Sequence, residues 1–154
     1  MSTQEIYHYL RVNDSLITGG QPTAAQLQSA AEEGFVTVIN LDTLNSRDAL
    51  EDEAGLVRSL GMAYYQIPVE WDHPTEEDFA AFERVVKATC GKTLIHCVAN
   101  LRVTAFYALY ALKNLGWSEA QADALMDLMW RGSAEPVWEE FIRHMKSQCM
   151  HDLE

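Results

Sequence analysis

Basic side chains are scarce in this sequence: 11 lysines and arginines face 23 aspartates and glutamates, for a net charge of −12. A surface so short of cations is a poor match for nucleic acid or an anionic membrane, whose phosphates must be neutralised by Lys and Arg. Cysteine is also sparse, with three residues, Cys90, Cys97 and Cys149, in no recurrent spacing. An odd, irregular set fits thiols in a reducing compartment rather than a disulfide framework. No apolar run approaches the ~20 residues of a membrane span, and the polar start Ser2-Thr3-Gln4-Glu5 lacks a basic stretch followed by an apolar one. The expectation is a cytoplasmic protein. Repeats, Pro- or Gly-rich linkers and sustained heptads are missing as well, which argues against solenoids, tethered modules and coiled coils.

What is present is enough for a folded core. The 154 residues are 48% hydrophobic, with the apolar positions spread along the chain, so one domain spanning 1–154 is expected. Tyr7, Tyr9 and Val12 alternate with polar residues and Leu16-Ile17-Thr18 follows Asn13-Asp14-Ser15, which reads as an opening hairpin. Thr23 and Gln26 have capping-box spacing ahead of Leu27, Ala30 and Ala31, with Gly34 as a stop. Phe35 to Leu41 is almost wholly apolar, as in a strand covered on both faces. Ser46 is a candidate cap for a helix carrying Leu50, Ala54, Val57 and Leu60, followed by a strand from Ala63 to Val69. Thr75 and Asp78 open a further helix that should end near Gly91. Alternating helices and strands predict an α/β fold, with a mostly parallel central sheet and helices on both faces. Beyond Gly116, Ser118 with Gln121, and Pro136 before Val137, Trp138 and Phe141, predict additional C-terminal helices. His144, Cys149, Met150 and His151 match no closed metal-site spacing, and neither a metal nor a cofactor is expected.

The chemistry concentrates between Thr93 and Thr104. Thr93-Leu94-Ile95-His96 reads as a short buried strand, Cys97 stands where it stops, and helical periodicity begins at Leu101. The first amides of a helix have no partner within it, so this corner favours an anion or a thiolate. Arg102, five positions after Cys97, can offer a planar fork to two oxygens of an oxyanion.

His96-Cys97 followed by a loop and Arg102 resembles the cysteine-based protein tyrosine and dual-specificity phosphatases. Further segments, Gly19-Gly20-Gln21-Pro22-Thr23, Gly34 to Leu41, and Gly61 to Tyr65 with Ile67-Pro68-Val69, resemble the bacterial beta-lactamase-hydrolase-like branch of that superfamily. The likeness covers roughly residues 15–115. It implies a dual-specificity-phosphatase-like fold and hydrolysis of phosphomonoesters, phosphotyrosine or related, through a phosphocysteine. Cys97 would be the nucleophile, with Arg102 and the loop Val98, Ala99, Asn100 and Leu101 binding phosphate. Asp72, in the loop upstream of the cysteine strand, would be the general acid, with Glu70, Asp78 and Asp42 as rivals. His96 would steady the loop and Thr104 could donate to the thiolate. The implied partner is a phosphorylated protein or a small phosphomonoester. Two departures stand out. Four residues, none of them glycine, separate Cys97 from Arg102 where the family has five, and Asp42 occupies a place where that branch often has arginine. The short loop is similar to that of single-domain rhodaneses, so a persulfide-carrying sulfurtransferase and a silent phosphate-binding module stand as alternatives.

Overall fold

The structure is a computed structural model; it describes residues 2–43, 46 and 49–151, the last two without their side chains. Five strands form one sheet: β1 (Leu10–Asn13), β2 (Leu16–Gly19), β3 (Thr37–Asn40), β4 (Ala63–Gln66) and β5 (Thr93–His96), in the spatial order β1-β2-β5-β3-β4. The β1–β2 hairpin is antiparallel and the other three pairings are parallel. The register sets Gly19 and Asn40 on either side of His96, and Gln66 beside Asn40, so four carboxyl ends share one edge of the sheet. Ligands bind at such an edge in open α/β sheets.

Six helices follow the predicted alternation: α1 (Ala24–Glu32), α2 (Glu53–Ser59), α3 (Glu76–Ala88), α4 (Leu101–Asn114), α5 (Glu119–Trp130) and α6 (Pro136–His151). The capping boxes Thr23/Gln26, Thr75/Asp78 and Ser118/Gln121 all form, each satisfying amides that a helix start leaves unpaired. Side chains alternate across a strand, and the alternation sorts the core into two layers. Val38 and Leu94 pack with Leu27 and Ala30 of α1 and Val57 of α2. Ile39, Ile95 and Cys97 face the opposite way, against Phe79 and Phe82 of α3, α4, and Trp138 and Phe141 of α6. From Arg102 to Leu112 every residue of α4 is buried, as expected of a helix without a polar face, and it packs against α5 and α6.

Three local expectations are corrected. The first strand begins at Leu10, and Tyr7 lies in the turn before it with 58% of its surface exposed. The helix assigned to Ser46 starts at Glu53, because Asp52, at φ +52°, supplies the cap by accepting from the Gly55 amide at 3.1 Å. The third helix stops at Ala88, where Thr89 turns extended. Cys90, just beyond it, is exposed.

Candidate active site

The period of two along β5 decides what surrounds the cysteine. Leu94 and His96 point to the α1–α2 side, Ile95 and Cys97 to the other, and the chain then leaves the sheet. The loop after Cys97 is tied down residue by residue. The Val98 carbonyl accepts from the Gln21 amide at 3.0 Å, and the Ala99 carbonyl accepts from His8 Nδ1 at 2.8 Å. Asn100 takes the left-handed conformation, φ +66°, which a short polar side chain tolerates. Its amide nitrogen donates to Thr18 Oγ1 and to the His8 carbonyl, both at 2.9 Å. A Cβ on Gly20 would stand 2.3 Å from the Val98 carbonyl oxygen, so glycine is what allows β2 to run so close to the loop. Thr104 departs from expectation. Its hydroxyl reaches the carbonyls of Asn100 at 2.8 Å and Leu101 at 3.1 Å, so its proton supports the loop's backbone rather than the Cys97 sulfur.

Arg102 is buried in the first turn of α4, and its guanidinium is held from behind. One terminal nitrogen donates to the Val69 carbonyl at 2.8 Å and the other to Asp42 Oδ1 at 3.0 Å. Asp42 follows β3 and is itself buried, with Oδ1 also accepting from the Thr43 amide at 2.8 Å. Its Oδ2 is buried with no partner among the described residues. Two N–H groups fix the plane of the fork, which leaves the rest for a ligand. Arg102, Cys97, Val98, Ala99, Leu101 and Trp71 together line a cavity of about 290 Å³. A second hollow of about 530 Å³, walled by Tyr7, Gln21, Pro22, Leu50 and neighbours, shares Val98 and Ala99 with the first, and among the described residues no charged side chain lines it.

Beneath the loop, on the α1–α2 side, lies a buried polar chain. His96 Nε2 meets Glu53 Oε2 at 2.6 Å, Glu53 Oε1 accepts from Gln21 Nε2 at 2.8 Å, and His96 Nδ1 faces the Cys97 carbonyl at 3.3 Å. Burial works to raise the Glu53 carboxyl, but the His96 contact and the Gln21 hydrogen bond outweigh it and hold the group below the ordinary carboxylate value. His96 thus touches both the backbone of the cysteine loop and the Glu53 carboxylate. Glu53 itself was not foreseen, since a helix started at Ser46 puts it mid-helix rather than at the first turn. Next to it, Asn40 Nδ2 donates to the Tyr64 hydroxyl at 3.1 Å, and that hydroxyl donates in turn to Gln66. Burial pushes the Tyr64 phenol up to about 12.

The turn 70–73 closes the cavity from the other side, with the His73 amide bonded to the Glu70 carbonyl at 3.1 Å. Trp71 lines the cavity, whereas Asp72 and Glu70 are exposed and line neither hollow. Of the rivals for general acid, Asp78 is engaged in its capping box and Asp42 lies behind Arg102. Trp71 stacks on Trp130 with centroids 5.8 Å apart and planes at 15°, and packs against Trp138 at 5.7 Å. Trp138 Nε1 donates to the Trp71 carbonyl at 2.6 Å, and Trp130 Nε1 to the Leu101 carbonyl at 3.0 Å. Among the described residues no three His, Cys, Asp or Glu side chains converge as metal ligands, and no helix is long and apolar enough to cross a membrane. The side chains of Met150 and His151 lie outside the described residues.

Comparison with known proteins returns one consistent picture. A DUF442 protein of Shewanella putrefaciens CN-32, described as a proposed phosphatase, is 32% identical, aligns over 94% of this chain and 95% of its own, and superposes with a TM-score of 0.84. A Xylella fastidiosa protein named beta-lactamase hydrolase-like is 32% identical over 101 residues, which is 64% of this chain. The chain spans about a quarter, 23%, of the length of that curated relative. TpbA of P. aeruginosa, crystallised with phosphotyrosine, shares the fold at 16% identity, with 93% of this chain and 90% of TpbA covered and a TM-score of 0.69. No family model matches.

Proposed function

Because the chain belongs to the DUF442 phosphatase-like proteins and shares its fold with tyrosine-phosphatase-like structures, we propose that it is a cysteine-dependent phosphatase acting on phosphomonoesters. The observation that carries the reading is a single cavity shared by Cys97, Arg102 and the backbone loop between them. The Cys97 thiolate attacks phosphorus in line, forming the S–P bond as the P–O bond to the leaving group breaks. Arg102 and the amides of Val98 to Arg102 hold the equatorial oxygens, where charge gathers in the transition state. Asp72, exposed and next in sequence to the cavity-lining Trp71, gives its proton to the leaving oxygen. Its carboxylate then takes a proton from water as that water attacks phosphorus and the thiolate departs. Among the described residues the hollow beyond Val98 and Ala99 is walled by uncharged side chains, Tyr7, Pro22 and Leu50 among them, which suits the aromatic leaving group of phosphotyrosine or a related aryl ester.

One observation favours a second reading, sulfur transfer through a Cys97 persulfide. The loop has four residues between Cys97 and Arg102, and among the described residues no carboxylate lines the cavity. Sulfur transfer needs no proton donor for an alkoxide. Hydrolysis of a small aryl phosphate across about pH 5 to 8 decides between them, with Cys97→Ser, Arg102→Lys and Asp72→Asn beside the wild type. The phosphatase reading expects no turnover in the first, a sharp loss in the second and loss of the acid-requiring limb in the third. A wild type inert toward phosphate esters but active with thiosulfate and a thiophilic acceptor would replace it with sulfur transfer.

A further inference from the structure

The walls of the cavity come from two segments far apart in sequence, the turn 70–73 and the loop 97–102. Arg102 ties its loop to the foot of that turn, donating to the Val69 carbonyl at 2.8 Å, and the pair α5–α6 ties both segments from outside, through one indole from each. Trp130, at the end of α5, donates its N–H to the Leu101 carbonyl at the foot of the cysteine loop, at 3.0 Å. Trp138, in the first turns of α6, donates to the carbonyl of Trp71 in the acid turn, at 2.6 Å. The two indoles also touch each other at 5.8 Å, and both pack on the Trp71 ring, at 5.8 Å and 5.7 Å. Trp138 is only 1% exposed and is wedged between Phe106 and Phe141, so its N–H has no freedom to look elsewhere. A tryptophan so deeply buried needs a partner for its one donor. Here that partner is the backbone immediately before Asp72.

We propose that Trp130 and Trp138 are positioning residues: α5 and α6 fix the separation between the acid turn and the cysteine loop through paired indole-to-carbonyl hydrogen bonds. This rests on the phosphatase reading of Asp72 and Cys97, and extends it to helices that composition and periodicity assign to packing alone. The two bonds have separable consequences. The Trp138 bond governs where the proton donor stands, so its loss matters when the leaving group needs a proton. The Trp130 bond governs the phosphate cradle, so its loss acts on every substrate.

The test removes each N–H without changing ring shape, by replacing the indole with its benzothiophene isostere at position 138 or 130. Aryl phosphates spanning good to poor leaving groups are then compared. Loss of one such bond should slow poor leaving groups ~5- to 10-fold in the position-138 protein while leaving nitrophenyl-type esters within ~2-fold of wild type. The position-130 protein should slow all esters alike. Amide exchange supplies a readout that does not depend on turnover: the His73 amide, bonded across the turn to Glu70, should exchange several-fold faster in the position-138 protein, with amides of β3 unchanged. Uniform slowing by the position-138 isostere, or unchanged exchange at His73, overturns the proposal. Faster exchange at His73 in a protein that hydrolyses no ester leaves the positioning role standing and removes the phosphatase reading instead.

Discussion

The two faces of β5 solve different problems. On one side of the strand Ile95 and Cys97 meet an aromatic layer of Phe79, Phe82, Phe106, Trp138 and Phe141, packed edge to face, tilted and, for Phe106 on Phe141, stacked. On the other side, one residue along, His96 meets Glu53, and around it Gln21, Asn40, Tyr64 and Gln66 form a buried polar lattice. The aromatic face supplies area, which stabilises in proportion to what is removed from water and tolerates approximate placement. The polar face contributes little net stability, because each group exchanges a water for a partner, but it fails sharply when one member is removed. Cys97 thus stands at the end of a strand that is glued from one side and latched from the other.

Breaking the aromatic face should cost most. Phe106→Ala, at the centre of that layer, should lower unfolding free energy by about 3–5 kcal/mol, and by the same amount at pH 5 and pH 9, measured by urea denaturation. Breaking the latch should cost less but depend on pH. Glu53→Gln should lose about 1.5–3 kcal/mol at neutral pH by weakening a charge-assisted bond. The Glu53 carboxyl is held below its ordinary value of 4.5 in the folded protein, so its contribution is present above that value and vanishes as pH falls through the lowered one. Wild type and variant should therefore converge in acid, and a constant gap down to pH 3 would count against the latch. The same face has an alkaline limb. Tyr64 binds its proton more tightly when folded, so its contribution is present below pH 10 and is lost as pH rises toward about 12. Tyr64→Phe should cost about 1 kcal/mol at neutral pH and flatten that alkaline loss. The smallest effect belongs outside both layers. Tyr7→Ala should leave stability within about 0.5 kcal/mol, yet raise KM for bulky aryl phosphates ~3-fold while sparing small ones.

The same contrast separates what the sequence carries locally from what only the fold brings together. The aromatic layer announces itself by helical spacing, Phe79 with Phe82 and Trp138 with Phe141, because burial writes a period into the sequence. Capping boxes are equally local, and all three foreseen are formed. Cys97 and Arg102 were readable because a strand, a loop and a helix start follow one another directly. The latch is different in kind. Glu53 and His96 are 43 residues apart, and nothing in either neighbourhood marks the other. Its one local hint, an Asp cap at position 52 that would put Glu53 in the first turn, was hidden by the more familiar Ser46. Asp42 is a similar case: the sequence offers it as a rival for the general acid, and its hold on Arg102 follows only once β3 is known to lie beside β5. Tyr7 misled because alternation over a few residues cannot distinguish a strand from the turn that leads into it.

The indole cluster has a consequence of a spectroscopic kind. Three of the chain's four tryptophans, Trp71, Trp130 and Trp138, have ring centroids within 5.8 Å of one another, and one of them forms a wall of the cavity. Rings at that separation share their excited state, so what touches Trp71 dims or brightens the whole group. The protein carries its own lamp at the mouth of the site. An oxyanion settling between Cys97 and Arg102 would be visible in its native emission, without a label and without turnover.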